Sequence, residues 1–426
     1  MASKTKTRRL NCGTAAVDRL SNLPRSLIEL ILKHLPVHDV ARMSILSKTW
    51  RDVWVMHPHL VLDELFFKQL VSKKVSKKDK VARVSQVSRT ISNILLVHTG
   101  SILKFHLFIP RDLPLHQCVD VDFWIKNISN AVRKLELFNE AFTLYKIPLY
   151  LFSCLELTRL HLTKCILNPP HKFGGFCNLV SVKLQDVVIA TEMTFGVQLK
   201  ELELLYCAGI KNLECQFNNN NNLTDLVIEY SREIDLRWFE CIQKVEILNL
   251  KGVLNSTNEL IRFNKLVANM PRIDVLVLDN HFLKSLEPGA TVLERPITTL
   301  GVLFLVHVRS ENLVHAEYLI RCSPNLRHLY IKLGNGVYSS NNMDALDFVV
   351  STAHMILDKL EVVEMHGMVG SKAEFQLIKL LLASTPRLRR IELHKEITVD
   401  PEEELRILQE LLQIPRASTS SKIIWK

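Results

Sequence analysis

Residues 157–165 read LTRLHLTKC and residues 199–207 read LKELELLYC. Each carries aliphatic side chains in the same three places (Leu157, Leu160, Leu162; Leu199, Leu202, Leu204) and ends on a cysteine, Cys165 or Cys207. Side chains of extended chain point alternately to opposite sides, so this spacing predicts a short strand with one buried face. One such strand cannot bury that face by itself, and further copies are expected beside it. They are present. Working outward, the triple apolar-x-x-apolar-x-apolar begins again at Leu179, Leu223, Val245, Ile273, Ile297, Leu326, Leu360 and Leu388, and upstream at Val132 and Ile102. At Ile297 its members are Ile297, Leu300 and Val302. Successive starts lie 20 to 34 residues apart, most of them 22 to 28. That is the leucine-rich-repeat period, one strand per turn of a solenoid with a parallel sheet on its concave face.

Alternation also sorts what lies between the leucines. His161, Lys183, Glu203, Glu229 and Tyr330 fall on the outward side, together with Arg159, Glu201, Asp225, His328 and Lys332. This surface is mixed in charge and suits a polar protein target better than a polyanion. Lys183, Glu203 and Glu229 have no evident structural task there, and the first five residues are the expected target contacts. The cysteines closing two strands are expected to point inward and bond neighbouring backbone. Residues 218–222 and 334–342, rich in asparagine, glycine and serine, read as loops between strands.

Ahead of the repeats, Asp18–Trp54 reads DRLSNLPRSLIELILKHLPVHDVARMSILSKTWRDVW. Pro24 suits the start of a helix that Pro36 halts, Asp39 can cap a second helix, and Ser47 a third. On the first helix, Leu27, Ile31 and Leu35 make one apolar stripe while Ile28 and Leu32 make another. A unit of about 40 residues hardly needs two. Either the second face packs onto the following domain, or it is kept for a partner.

This segment closely resembles the F-box in its plant form. Leu23, Pro24, Ile31, Leu32, Leu35, Pro36, Ser47, Trp50, Arg51 and Trp54 stand where that motif wants them, while Arg25 and Ser26 replace the acidic residues often found after its Leu-Pro. The C-terminal part, Lys359–Glu396, resembles the FBD segment that closes many plant F-box repeat proteins: a strand, a glycine turn, Glu374, a helix, Thr-Pro and a last strand. The resemblance implies an α/β chain in order: a disordered tail at 1–16, a three-helix F-box at 17–58, linking helices at 59–99, a leucine-rich-repeat solenoid at 100–350, and FBD-like capping repeats with a tail at 351–426. It further implies the substrate-recognition subunit of an SCF-type ubiquitin ligase. The adaptor subunit, and through it cullin, would be held by Leu23, Pro24, Leu27, Ile28, Ile31, Leu35, Pro36 and Trp50. The repeats would hold a target.

Composition narrows the rivals. Of the net charge of +10, residues 1–90 supply +11 (18 Lys/Arg against 7 Asp/Glu) and the rest −1 (36 against 37). A nucleic-acid role would therefore have to use the basic stretches Lys4–Arg9 and Lys73–Lys80, the latter expected at an exposed bend. Nine scattered cysteines without a C-x-x-C pair indicate neither a disulfide framework nor a zinc module. No apolar run is long enough to cross a membrane, and the expected setting is nucleus or cytoplasm. With 13 glycines and none of the nucleotide-binding or hydrolase motifs, no catalytic residue, metal or cofactor is expected. The alternative in another class is an interaction scaffold without ligase function.

Overall fold

The computed structural model describes residues 23–33, 35, 37–43, 45, 47–71, 80–113, 119–171, 173–210, 213–215, 222–231, 243–252, 271–284, 296–334 and 357–426. The expectations for the 1–16 tail, for Pro36, for residues 73–79 and for most of the two polar loops fall outside them.

Fourteen strands form one sheet, each parallel to the next. The first seven are His59–Leu62, Lys104–Ile109, Lys134–Asn139, Arg159–Thr163, Ser181–Gln185, Glu201–Leu205 and Asp225–Glu229. The rest are Ile247–Lys251, Val275–Asp279, Val302–Val308, His328–Leu333, Val362–Met368, Arg390–Lys395 and Lys422–Trp425. Their order in the sheet is their order in the chain, as a solenoid requires. The inward leucines stack in register: Leu160 faces Val182, Val182 faces Leu202, and Leu202 faces Leu226. All four are buried in one continuous apolar core.

Three features depart from the reading above. The segment 59–99 is not helical throughout. His59–Leu62 is the first strand of the sheet, and Leu60 and Leu62 pair with Phe105 and Leu107; among the described residues of this segment the helices are Glu64–Val71 (α4) and Lys80–Val97 (α5). In the ninth triple the frame moves by three residues. Leu300, Leu303 and Leu305 are fully buried, while Val302 turns outward. Gly301 fits this frame because the Asp274–Arg327 ion pair, at 2.9 Å, passes over it, where a Cβ would collide with both side chains. Finally, the C-terminal tail is structured: a helix, Pro401–Leu412, is followed by the last strand, in which Ile423 and Trp425 cover the open end of the core.

The FBD-like segment has the expected order, with strand Val362–Met368, helix Lys372–Ser384 and strand Arg390–Lys395. Glu374, completely buried, accepts the N–H groups of Val369 and Gly370 at 3.1 and 2.9 Å and the Ser310 hydroxyl at 3.4 Å. Its carboxyl is thus tied to both its own turn and the preceding repeat. Burial pushes the carboxyl pKa up, opposed by hydrogen bonds from Ser371, Val369 and Gly370.

Candidate functional site

Two surfaces are candidates, one on the N-terminal helices and one along the sheet. The first is α1, Arg25–Lys33, followed by α2, Val37–Met43, and α3, Lys48–Trp54. The Pro24 carbonyl accepts the N–H groups of Leu27 and Ile28, at 2.9 and 3.2 Å, and so starts the first turn. Ser47, in extended conformation, caps α3 by accepting the Trp50 N–H at 3.4 Å. Ile28 and Leu32 turn inward and make a small core with Val40, Trp50 and Val53. Leu23, Leu35, Met43 and Trp54 lie at its edge.

The outer face carries Leu27, Leu30 and Ile31, exposed by 45%, 54% and 36%. They occupy helix positions i, i+3 and i+4, a single contiguous strip. Ile45, just beyond α2, is 80% exposed. Seven of the eight expected adaptor residues are described, all but Pro36, and they separate. Leu27 and Ile31 are on the outer face, Pro24 is exposed beside it, and Leu23 and Leu35 are half-buried. Ile28 and Trp50, at 0% and 1% exposure, belong to the inner core. Neither can touch a partner while the helices are closed; their work is to set the spacing of the helices that carry the outer strip. Leu30 was missed because the first stripe was traced through Leu35 at i+4 steps. The i+3 neighbour of Leu27 was the available signal.

The join with the repeats is firm. Val37 sits in the main core, and Trp54 packs against both cores. The Val55 carbonyl accepts the N–H groups of Thr99 and Gly100 at 2.8 and 3.2 Å, and the Pro58 carbonyl those of Leu103 and Lys104 at 2.8 and 3.0 Å. Only glycine fits at position 100, since a Cβ would stand 2.7 Å from the Met56 backbone. These contacts occupy the α2–α3 side of the unit and leave the outer strip of α1 open.

The second surface is the open face of the sheet. One outward residue per strand aligns in register: His106, Glu136, His161, Lys183, Glu203 and Val227, then Asn249, Val277, Phe304, Tyr330, Glu364 and Glu392. The charges expected to be free are paired across strands. Lys183 donates to Glu203 at 2.7 Å, and Glu229 accepts from Lys251 at 2.6 Å and from Asn249 at 2.8 Å. Each is therefore held by a neighbouring strand. The sequence held a signal for the first pair, since both residues are fifth in their triples and so must be neighbours in a parallel stack.

Further toward the F-box, Glu136 hydrogen-bonds His106 Nδ1 at 2.8 Å and pairs with Lys104 Nζ at 3.1 Å. The His106 hydrogen bond, with help from Lys104, brings the Glu136 pKa down to about 2 despite burial. His161 has its ring 4.4 Å from that of Phe138, and burial lowers its pKa, with the Lys183 charge second. Tyr330 lies between Phe304 and His366, with ring centroids 5.5 and 5.0 Å away. The inward cysteines are hydrogen-bonded as expected: the Cys165 thiol donates to the Thr163 carbonyl at 3.2 Å, and the Cys207 thiol to the Leu184 carbonyl at 3.3 Å. Burial pushes the Cys207 thiol up to about 11, which makes it inert at neutral pH.

Among the described residues no group of three or more His, Cys, Asp or Glu is placed to hold a metal ion, and no helix is long and apolar enough to cross a membrane. A family model described as the F-box domain matches residues 20–62, and so runs through the first strand of the sheet. Over 430 residues the chain is 27% identical to an F-box/FBD/LRR-repeat protein of Arabidopsis thaliana, covering 96% of this chain and 98% of that one. It is 23% identical to F-box/LRR-repeat protein 13 of the same plant, covering 97% of each. It is 24% identical to an FBD-associated F-box protein of that plant, covering 96% of this chain and 94% of the other.

Proposed function

For an F-box protein similar along almost its whole length to the plant F-box/FBD/leucine-rich-repeat proteins, we propose the role of substrate receptor in an SCF-type, cullin-RING ubiquitin ligase. The observation that carries this reading is the split of α1. Its inner residues complete a core, yet Leu27, Leu30 and Ile31 stay in solvent. Exposed apolar residues at such spacing are the signature of a helix that docks against another protein. The adaptor is the partner that an F-box implies, and cullin follows through the adaptor.

The receptor makes no bonds. Holding a target on the repeats while the adaptor is bound at the other end fixes the target near a charged conjugating enzyme. The encounter becomes intramolecular, with the gain in effective concentration that tethering provides. A firm join between F-box and sheet serves this role because it transmits position.

The test is adaptor binding by the full chain, measured by calorimetry. Ile31→Asp places a carboxylate in an apolar contact and is expected to weaken binding by about a hundred-fold or more, with an unchanged thermal transition. Wild-type binding by that folded variant would remove the assignment. Tight adaptor binding without ubiquitin transfer to a captured protein, in a reconstituted ligase, would make the chain a scaffold.

A further inference from the structure

The outward side chains change character along the sheet. On the strands from Lys104 to Asp225 they are chiefly charged, polar or histidine, as water demands; of the aromatic exceptions, Phe108 packs against the core and Phe138 against His106 and His161. On the next strands they are not. Val275 and Val277, then Val302 and Phe304, then Tyr330 and Val362 all lie outward, in half-exposed positions. Val277 faces Phe304, which faces Tyr330; Val275 faces Val302. Valine alone could reflect strand propensity. A phenylalanine and a tyrosine in ring contact on the same strip could not, for they add apolar area that the core on the other side of the sheet never uses.

Next to this strip, on the F-box side, the balance of charge is acidic. The outward and strand-end positions from Ser181 to Lys251 carry Asp186, Glu201, Glu203, Asp225, Glu229 and Glu246 against Lys183, Lys200 and Lys251. Lys183 and Lys251 are each engaged by one glutamate, and the balance of the stretch stays negative. At the border of this stretch the rings of Tyr206 and Tyr230 are stacked, 5.3 Å between centroids and 11° between planes, and both are exposed. Both backbones are left-handed, with φ of 55° and 49°. A flat electron-rich pair beside surplus carboxylates is a seat for guanidinium.

We propose that this strip and its acidic neighbour together hold one extended segment of the target, apolar at one end and rich in arginine or lysine at the other. The segment lies across the strands. Its aliphatic or aromatic side chains rest on Val277, Phe304 and Tyr330, and its cations reach Glu203, Asp225 and the tyrosine pair. From Glu203 to Tyr330 is five strand spacings, about 24 Å, which about seven extended residues span. The proposal rests on the receptor reading, for which it names the chemistry of the target.

The test uses the full chain and fluorescent synthetic peptides read by anisotropy. The matched probe carries Leu-Trp-Leu followed by Arg-Gly-Arg; in one control glutamates replace the arginines, in another serines replace Leu-Trp-Leu. The matched peptide is expected to bind about ten-fold tighter than either control, with affinity falling as salt rises. Phe304→Ser with Tyr330→Ser should lower its affinity by about ten-fold, whereas Glu203→Gln with Asp225→Asn should erase the preference for arginine over glutamate. Thermal transitions confirm that both variants fold. Equal binding of the three peptides, preference for the acidic one, no binding at about millimolar concentration, or indifference to the Phe304 and Tyr330 changes would overturn the proposal. Adaptor binding is measured on the same samples. Its loss with peptide capture intact would refute the ligase role and leave this site standing.

Discussion

In α1 five apolar residues divide between two destinations, Ile28 and Leu32 inward, Leu27, Leu30 and Ile31 outward. In the strand Glu201–Leu205, by contrast, Leu202 and Leu204 are buried and their partners in alternation are Glu201, Glu203 and a half-exposed Leu205. The helical unit keeps more grease than its core of five buried side chains can hold. The strands of the repeat stack consume their inward aliphatic side chains, because each strand between the two edge strands has a neighbour on either side. What differs is therefore the meaning of an exposed hydrophobe. On α1 it is apolar surface that the small core leaves over and that the proposed adaptor contact would use, and on the strands it is a break in the alternation, as on the Phe304–Tyr330 strip.

The largest expected effect breaks this comparison at its sharpest point. Ile28→Asp and Ile31→Asp introduce the same carboxylate three residues apart. The first buries an unpaired charge in the small core and should cost roughly 3–5 kcal/mol, enough to unfold α1 to α3. The second leaves the charge in water and should move stability by no more than about 0.5 kcal/mol. Circular dichroism and thermal melts on both variants decide it. Equal destabilisation would mean that the outer strip is packed against the chain itself.

The repeats supply the next contrast. Leu202→Ala and Leu303→Ala are each expected to cost roughly 2–5 kcal/mol, by loss of buried methylenes and the cavity left behind. Glu201→Ala and Val302→Ala, at outward positions, should stay within about 1 kcal/mol. Urea melts measure all four. A large loss at Val302 with a small one at Leu303 would restore the frame Ile297, Leu300, Val302.

That frame shows why part of the fold was legible and part was not. Strands whose triple is wholly apolar announced themselves. At Ile297 two overlapping triples satisfy the same pattern, and nothing local separates them; contact with Leu276 and Leu329 does. The first strand escaped because His57 stands at the leading place of its triple, ahead of Leu60 and Leu62, and is buried all the same. Burial with His59 and His98 nearby brings the His57 pKa down to about 4, so the ring is neutral where an aliphatic group was expected. The last strand escaped because the leading place of its triple, ahead of Ile423 and Trp425, is the exposed Ser420. On the α1 surface the helix period located the outer strip to within one residue. On the sheet it sorted in from out. It could not show which charges neutralise each other, since that depends on register between strands.

Glu136 tests the electrostatics of the open face by pH. Its pKa is depressed from 4.5 to about 2 by His106 and Lys104. A carboxylate depressed in the folded state contributes stability above its unfolded pKa and loses it as pH falls through the folded value. The window is thus about pH 4.5 down to about 2, and the side chain is only 24% exposed. Glu136→Gln should cost on the order of 2 kcal/mol at neutral pH and nothing near pH 2, so the two melting curves converge on acidification. Parallel curves would show that Glu136 does not stabilise the face.

The smallest effect is expected at Lys183 and Glu203, and it bears on how a sheet face is kept available. The ammonium and carboxylate meet at 2.7 Å, with side chains 36% and 32% exposed. In that setting water screens most of the attraction, and fixing two long side chains costs entropy. A double-mutant cycle with Lys183→Ala and Glu203→Ala should therefore return a coupling below about 1 kcal/mol. The pair would then have a different consequence from the buried leucines. It holds two opposite charges in register without making either costly to withdraw, so an incoming cation can take Glu203 from Lys183 with little penalty to the fold. A coupling of about 2 kcal/mol or more would contradict this, because an arriving side chain would first have to break the pair. Read by urea melts in low salt, where surface pairs are strongest, the cycle gives the upper limit of that barrier.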